Sequence, residues 1–232
     1  MPYWNYGDLA QRGCPAIFSN PEWDTTGIAT NSLFDARRET SFVRGFTKLT
    51  DSAVSVDNAF SKSTFFGSNA NAAFAGAIDD REPDNQGTLE QSPHGWIHYV
   101  VGGVISDQAG RIGPNPTVGL MANPPTSAFD PLFWVHHSNI DRLWSVWDCL
   151  PGKTWGPAPP SAWWDAQPWW FYDFDGTVQI HPRSRYVSAR SLGIVFDSDD
   201  PACNPLSSTP LPVAEPATHR FSAFSSLSLL RF

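Results

Sequence analysis

The placement of three histidines constrains this chain more than any other feature. His94 and His98 lie four residues apart in the segment PHGWIH, a spacing that puts both side chains on one face of a helix. His137 ends the segment FDPLFWVHH, on a second predicted helix that can pack against the first. Two helices packed in this way would bring three imidazole nitrogens together, which is the ligand set of a metal site.

Local signals predict a helix for each histidine segment. A short helix is expected around residues 89–101, with Pro93 in its first turn. A longer helix is expected to begin with Asp130 as N-cap and Pro131 at the first helical position. Its apolar residues recur with helical spacing, and the helix is expected to end at residues 151–152, a Pro-Gly pair.

The remaining chain predicts loops with few regular elements. Residues 1–93 are rich in Gly, Ser, Asn and Asp, so we expect long loops with short helices around residues 52–60 and 69–74. Residues 171–180 and 186–200 are typical of short strands or turns. The predicted fold class is therefore mainly α with long loops and a few short strands.

Composition excludes several classes of protein. The apolar share of 41% against 16% charged residues predicts a folded globular chain. The net charge of −8, without a lysine or arginine run, argues against nucleic-acid binding. The chain has no apolar run long enough to cross a bilayer and no secretory signal at its start, so we expect no membrane association and a cytoplasmic protein by default.

The aromatic residues and cysteines bear on the core, on a ligand pocket and on disulfide bonding. Eleven tryptophans and sixteen phenylalanines indicate either a large aromatic core or an aromatic-lined pocket for an aromatic ligand. Cys14, Cys149 and Cys203 are widely spaced and form no CxxC pair. The sequence therefore indicates neither a disulfide framework nor a cysteine-rich zinc site.

The residues around the histidines limit the kinds of metal site that they could form. Gly95 follows His94 where a zinc protease would carry its glutamate base, so that class is excluded. Because His136 and His137 are adjacent, we expect one to bind metal while the other packs behind it. Asp141 follows one turn later and could orient an imidazole. Three neutral imidazoles suit either copper or zinc, and composition does not choose between them.

Two segments resemble the second copper-binding half, CuB, of the tyrosinase/catechol oxidase family of type-3 copper proteins: LEQSPHGWIHYVVGG and LMANPPTSAFDPLFWVHHSNIDRLWSVWD. The opening PYWNYGD is similar to the stretch after the first copper site, CuA, and FYDFDGTVQIHPRSRY to the stretch after CuB in plant-type members. The resemblance covers residues 2–200, and we expect residues 1–200 to form one copper-binding domain. Residues 201–232 are Pro/Ser-rich and are expected to be a poorly ordered tail.

The resemblance implies a copper cofactor and roles for individual residues. The implied CuB ligands are His94, His98 and His137. By the same comparison His136 would lie behind the ligands, Phe133 would pack beside the site, and Glu90 would be catalytic, holding a water near the copper pair. Pro124 stands where many members carry a bulky residue over the coppers, and Gly95 where phenol-hydroxylating members often carry Asn. This substrate gate would be open and would favour catechol oxidation.

The resemblance also implies what the sequence lacks. Residues 1–93 contain no histidine, so the CuA helices and ligands of the family's helical bundle have no counterpart. We expect a truncated form of an enzyme that, when complete, oxidises phenols or catechols to quinones with O2. With its bundle half-built, Trp134, Trp144 and Trp147 would be partly exposed and favour self-association.

Two alternatives remain open from the sequence. The chain could be a non-catalytic mononuclear copper-binding protein, or one half of a two-chain enzyme whose partner supplies CuA. It could also be an aromatic-rich binding module with vestigial histidines that takes up no copper.

Overall fold

Short helices and two strand pairs accompany one long helix in the described part of the chain. The structure is a computed structural model that describes residues 1–22, 30–77, 86–105, 117–156, 169–173 and 175–197. Its α-helices are α1 (Ala16–Ser19), α2 (Thr40–Val43), α3 (Asp51–Val54), α4 (Asp57–Ser61), α5 (Trp96–Gly102) and α6 (Pro131–Asp148). Its strands pair antiparallel, β1 (Val104–Ile105) with β2 (Thr117–Val118) and β3 (Trp169–Tyr172) with β4 (Val178–His181). The predicted mainly helical class with few short strands is confirmed.

Short π-helical and 3₁₀-helical segments accompany these elements. A π-helical turn covers Glu90–Gly95. The 3₁₀ helices are Leu9–Gln11, Ala70–Ala72, Leu120–Ala122, Pro124–Phe129, Arg183–Tyr186 and Arg190–Leu192. The helix predicted over residues 52–60 is present as α3 and α4, and the one predicted over residues 69–74 is a single 3₁₀ turn. The predicted tail, residues 201–232, lies outside the described residues.

The chain forms two compact units, each of which is discontinuous in sequence. The histidine unit comprises Pro2–Asn58 and Leu89–Ile140, and the tryptophan unit comprises Ala59–Thr88 and Asp141–Arg231. No helix in the described ranges is both long and apolar enough to cross a membrane.

Helix α6 begins where its sequence predicts. Asp130 precedes the helix, and its Oδ1 accepts a hydrogen bond from the backbone N–H of Leu132 at 2.8 Å. Pro131 takes the first helical position, where a missing N–H costs no intrahelical hydrogen bond. This combination of side-chain cap and proline fixes the first turn of α6, and with it the direction in which the side chains of His136 and His137 point.

The helix predicted over residues 89–101 is interrupted. The backbone of Ser92 is extended, with φ −147° and ψ 128°, so a π-helical turn precedes α5 instead of continuing it. The physical reason is Pro93, because a proline ring disfavours the helical conformation of the residue before it. The Ser92 hydroxyl donates to the carbonyl of Ser55 at 3.0 Å and holds the break in place. The prediction of one continuous helix over residues 89–101 was therefore wrong, whereas Pro93 does lie in the first turn of the helical stretch that follows the break and runs into α5.

An apolar cluster holds α5 and α6 together in the histidine unit. Ile97 and Val101 of α5 are fully buried, one helical turn apart, together with Leu132 at the start of α6. Trp4 packs in the same cluster, and its backbone N–H donates to the carbonyl of Val135 at 3.0 Å. Each large apolar side chain buried in this way contributes about 1.5–3 kcal/mol. This core fixes the two histidine-bearing helices relative to each other.

The end of α5 lies unusually close to the 3₁₀ helix Leu120–Ala122. A Cβ placed on Gly102 would lie 2.2 Å from the backbone N of Ala122, too short for any side chain. The N–H of Gly119 donates to the carbonyl of Gly102 at 3.1 Å. Gly103 follows with φ +54°, a conformation that glycine adopts readily, and ends the helix. The Gly-Gly pair therefore allows a backbone approach that larger residues would prevent.

Stacked aromatic rings form the core of the tryptophan unit. Trp147 is fully buried, stacks on Phe74 with centroids 4.4 Å apart, and donates from Nε1 to the carbonyl of Lys62 at 3.0 Å. Phe65 stacks on Trp144 at 4.9 Å. The prediction that Trp147 would be partly exposed was wrong, because this unit supplies its own aromatic partners.

The cysteines also depart from the sequence-based expectation. Cys149 is disulfide-bonded, whereas Cys14 is a free thiol. Burial raises the pKa of Cys14 to about 11, so that thiol stays protonated. A disulfide bond at one isolated cysteine leaves no CxxC-type spacing in the sequence, which is why the sequence did not indicate it.

A buried carboxyl at the end of α6 predicts a pH-dependent stability. Burial raises the pKa of Asp148 to about 7, against an unfolded value near 3.8, so the folded state holds this proton more tightly. The free energy of unfolding should therefore fall as pH rises from about 4 to 7, by up to about 4 kcal/mol in total. Asp148→Asn should remove this decline and be more stable than the parent at pH 8, as measured by urea unfolding across pH.

The matched control is Asp57→Asn, which removes the same charge from an exposed position at the start of α4. It should change the free energy of unfolding by no more than about 0.5 kcal/mol at either pH. Parallel pH curves for Asp148→Asn and the parent would contradict the burial of a protonated carboxyl.

Candidate metal centre

Four buried histidines form one cluster in the histidine unit. His94, His98, His136 and His137 each offer one ring nitrogen, and these four atoms all lie within 4.8 Å of one another. The side chains are almost inaccessible to solvent, from 0% exposed for His136 to 6% for His98. The structure thus brings together the three ligands expected from the sequence and adds the neighbour that was expected to lie behind them.

Backbone carbonyls orient the two imidazoles on the first histidine segment. Nδ1 of His94 lies 3.2 Å from the carbonyl of Glu90, and Nδ1 of His98 lies 2.7 Å from the carbonyl of Met121. A carbonyl oxygen only accepts, so Nδ1 is the protonated nitrogen in both rings. Nε2 of each ring is then left with the lone pair that a metal requires. The π-helical turn supplies the first carbonyl, and the close approach of Gly102 to Ala122 positions the second.

Helix α6 presents the third imidazole. Phe133, one turn earlier, stacks on the His137 ring with centroids 3.9 Å apart and contacts His98 edge-on at 5.8 Å. Nε2 of His98 and Nε2 of His137 are 3.1 Å apart. Two nitrogens on a tetrahedral ion with metal–nitrogen bonds of 2.0–2.1 Å lie about 3.3 Å apart. This pair therefore already has nearly the spacing of two ligands on one ion.

The imidazoles are electrically neutral in this setting. Burial lowers the pKa of His94 to about 3, with His98 adding a smaller repulsion, and lowers that of His98 to about 4. Burial, followed by the neighbouring imidazoles, also holds the pKa values of His136 and His137 well below the usual value. Near neutral pH every ring can offer a lone pair to a cation. Because the cluster contains neither thiolate nor carboxylate, these donors fit copper or zinc.

The other predicted site residues lie around the cluster in different ways. Glu90 is half-buried and contacts the site through its backbone carbonyl, so the role predicted for its carboxylate stays a prediction. Gly95 ends the π-helical turn, where a Cβ would lie 3.2 Å from the carbonyl of Glu90. Pro124 is exposed at the start of a 3₁₀ helix. The gate predicted for Gly95 and Pro124 likewise remains a prediction.

Asp141 follows His137 by one turn of α6. Its Oδ2 is buried and has no hydrogen-bond partner among the described residues, and burial raises its pKa well above the usual value. The imidazoles of His94 and His98 are instead oriented by main-chain oxygens. The orienting contact predicted for Asp141 therefore stays a prediction.

A buried ion pair supports α6 and was missed by sequence reasoning. Arg38 donates from Nε and Nη2 to the Asp130 carboxylate at 2.9 and 2.6 Å, and both side chains are 1% exposed. The same guanidinium donates to the carbonyls of Phe18 and Leu33. Asp130 is thus both the helix cap and the acceptor for a loop arginine 92 residues earlier. No local pattern signals a partner at that separation.

The ion pair generates a testable prediction. Arg38→Met leaves the Asp130 carboxylate buried without its counter-charge, so the free energy of unfolding should fall by about 3–5 kcal/mol in chemical denaturation. Combining it with Asp130→Asn should recover part of the loss, because Asn still caps a helix.

The adjacent Arg37 offers the control. It pairs with Asp35, but its side chain is 60% exposed, so Arg37→Met should cost no more than about 1 kcal/mol. Equal losses for the two single variants would show that burial of the Arg38 pair does not determine its contribution.

Comparison with known proteins places this chain in a family. Residues 1–150 match the family described as the common central domain of tyrosinase. Tyrosinase HcTyr1 of Hahella sp. (strain CCB-MM4) is 29% identical over 223 residues, covering 90% of this chain and 41% of that protein. A chloroplastic polyphenol oxidase of Malus domestica is 28% identical, covering 91% of this chain and 35% of that protein.

Solved structures show the same fold. Latent apple tyrosinase has a TM-score of 0.60 at 23% identity, with 86% of this chain and 43% of that chain covered. Grenache (Vitis vinifera) polyphenol oxidase has a TM-score of 0.59 at 22% identity, with 83% and 56% covered. The chain spans only about two fifths of the length of its two curated relatives named above. Over the matched 150 residues, which include the whole histidine cluster, the chain belongs to the tyrosinase family.

Proposed function

We propose that this chain binds copper through His94, His98 and His137, as the CuB half of a paired copper centre. The observation that carries the proposal is the cluster of buried, neutral imidazoles, in which carbonyls hold the Nδ1 atoms of His94 and His98. Membership of the tyrosinase family favours copper over zinc for this donor set. Copper bound here would supply the redox chemistry, and the protein would supply the position and the dry surroundings of the ion.

We further propose that the activity is oxidation of phenols or catechols to quinones by O2, in a form that carries a second copper. The names of several relatives, polyphenol oxidases, support this substrate class. The whole sequence has six histidines, of which four are in the cluster. The two others, His181 and His219, cannot make a second three-histidine site. A further segment of polypeptide, attached or separate, must therefore supply CuA.

The residues around the cluster suggest how a phenol would be handled. The Phe133 ring covers His137 and would offer an aromatic face to the substrate. The Glu90 carboxylate would hold a water or accept the phenolic proton. Gly95 and Pro124 present no large side chain, which would leave room above the ion and favour catechols. The chain alone would lack the second electron acceptor and would be inactive as an oxidase.

A second candidate is a non-catalytic protein that holds a single copper ion. The histidine count favours it, because the cluster is complete while no second set exists in the sequence. The two proposals share the same metal site and differ in whether a CuA-bearing segment joins it.

Copper stoichiometry tests the shared site. After loading with Cu(II) and removal of free ions, the protein should retain one copper per chain, and His98→Ala should lose most of it because a ligand is gone. His181→Ala is the matched control, since His181 lies on β4 outside the cluster, and should retain the metal. Elemental analysis gives the counts. Undiminished copper in His98→Ala, or two coppers with an intense oxygen-dependent near-ultraviolet band in the chain alone, would contradict the proposal.

The role of Glu90 is tested in the dinuclear form, made by supplying a CuA-bearing segment. Glu90→Gln keeps the size and the backbone carbonyl but removes the base, so turnover should fall about 10²- to 10⁴-fold at unchanged copper content. Gln91→Asn, at the next position, should leave turnover near the parent value. Unaltered rates on monophenols and diphenols alike would remove Glu90 from the mechanism.

A further inference from the structure

His136 is buried with poorly satisfied ring nitrogens. Its side chain is 0% exposed, and apart from a hydrogen-bonding contact with the backbone of His94 its ring nitrogens have no partner within the described part of the chain. A buried donor or acceptor left unsatisfied costs about 1–3 kcal/mol, and an imidazole carries one of each. Such a group in a packed interior calls for an explanation, and an absent ion is one of the recognised explanations.

The ring of His136 lies among the other imidazoles. It stacks on the His94 ring with centroids 5.5 Å apart and an interplanar angle of 9°. It meets the rings of His98 and His137 nearly at right angles, at 5.0 and 5.2 Å. One of its nitrogens lies within 4.8 Å of a ligand atom on each of the three. Neighbouring helical residues diverge by roughly 100°, yet both imidazoles of α6 reach the same cluster.

We infer that His136 is a fourth nitrogen ligand to the ion held by this chain. The inference rests on the proposed copper site and extends it from three ligands to four. Coordination would satisfy the lone pair of an imidazole that no described protein group satisfies. It would also make the site of the isolated chain a closed one.

A closed site has a functional consequence. Catalytic metal sites keep one position for water or substrate, whereas four protein ligands fill a tetrahedral ion. With His136 bound, this chain retains its ion but offers no free position to a phenol. Use of the site in catalysis then requires His136 to leave the ion.

The direct test counts nitrogens on copper in the unaltered protein. With one equivalent of Cu(II), pulsed electron paramagnetic resonance should resolve four coordinated imidazoles in the parent and three in His136→Phe. The Cu(II) affinity of His136→Phe should fall by at least about 10- to 100-fold, the loss seen even for groups that only support a ligand. His181→Phe is the control and should match the parent in both measurements.

Stability without metal separates a ligand from a packing residue. Phe is similar in shape and removes two buried polar atoms that are poorly satisfied, so apo His136→Phe should be at least as stable as the apo parent. A packing role predicts the opposite pattern, with lower apo stability and unchanged copper binding, and that result would overturn the inference. His136→Leu provides a smaller apolar replacement with the same expected pattern, and the nitrogen count of the parent needs no variant.

Failure of this inference differs from failure of the proposed function. Three coordinated imidazoles in the parent and an unchanged affinity in His136→Phe would overturn the fourth ligand alone. Absence of copper from the parent would refute the copper site itself, and the fourth ligand with it.

Discussion

Four imidazoles can share one buried space only while none of them carries a charge. Every added proton would place a cation in a low-dielectric interior, within a few ångströms of other rings. Burial lowers the pKa values of all four rings, and neighbouring imidazoles lower those of His94, His136 and His137 further. The carbonyls of Glu90 and Met121 assign the remaining protons to Nδ1 of His94 and His98. The same conditions that oppose protonation of the cluster make its lone pairs available to a metal cation.

The parts of the structure that hold this cluster are small and local. The break at Ser92 creates the turn that supplies one carbonyl, and the contact between Gly102 and Ala122 positions the other. The Arg38–Asp130 pair fixes the start of α6. Much of the histidine unit is irregular chain, yet each of these contacts acts on a histidine-bearing helix. The short turns and irregular segments are therefore important here, because they carry the groups that orient the imidazoles and support α6.

Sequence reasoning succeeded where the determining signal is local. Asp130 and Pro131 correctly predicted the start of α6, and the histidine spacing identified three of the four residues that the structure brings into one cluster. It failed to predict the break within residues 89–101, because the effect of Pro93 on the backbone of Ser92 was not taken into account. It could not find the Met121 carbonyl or Arg38, since both depend on chain segments that meet only after folding. The resemblance to a family assigned roles, but the inclusion of His136 in the cluster emerged only from the packed side chains.

The use of main-chain oxygens to orient His94 and His98 has a consequence for mutational mapping. A side-chain substitution at Glu90 or Met121 leaves the carbonyl in place, so replacing either residue by alanine would not identify it as the orienting group of its ring. Only changes that displace the backbone, such as inserting a residue in the turn or adding a methyl group at position 102, would reveal them. The orientation of the two imidazoles should therefore tolerate substitution of the neighbouring side chains. It should be sensitive instead to insertions and deletions that shift the backbone.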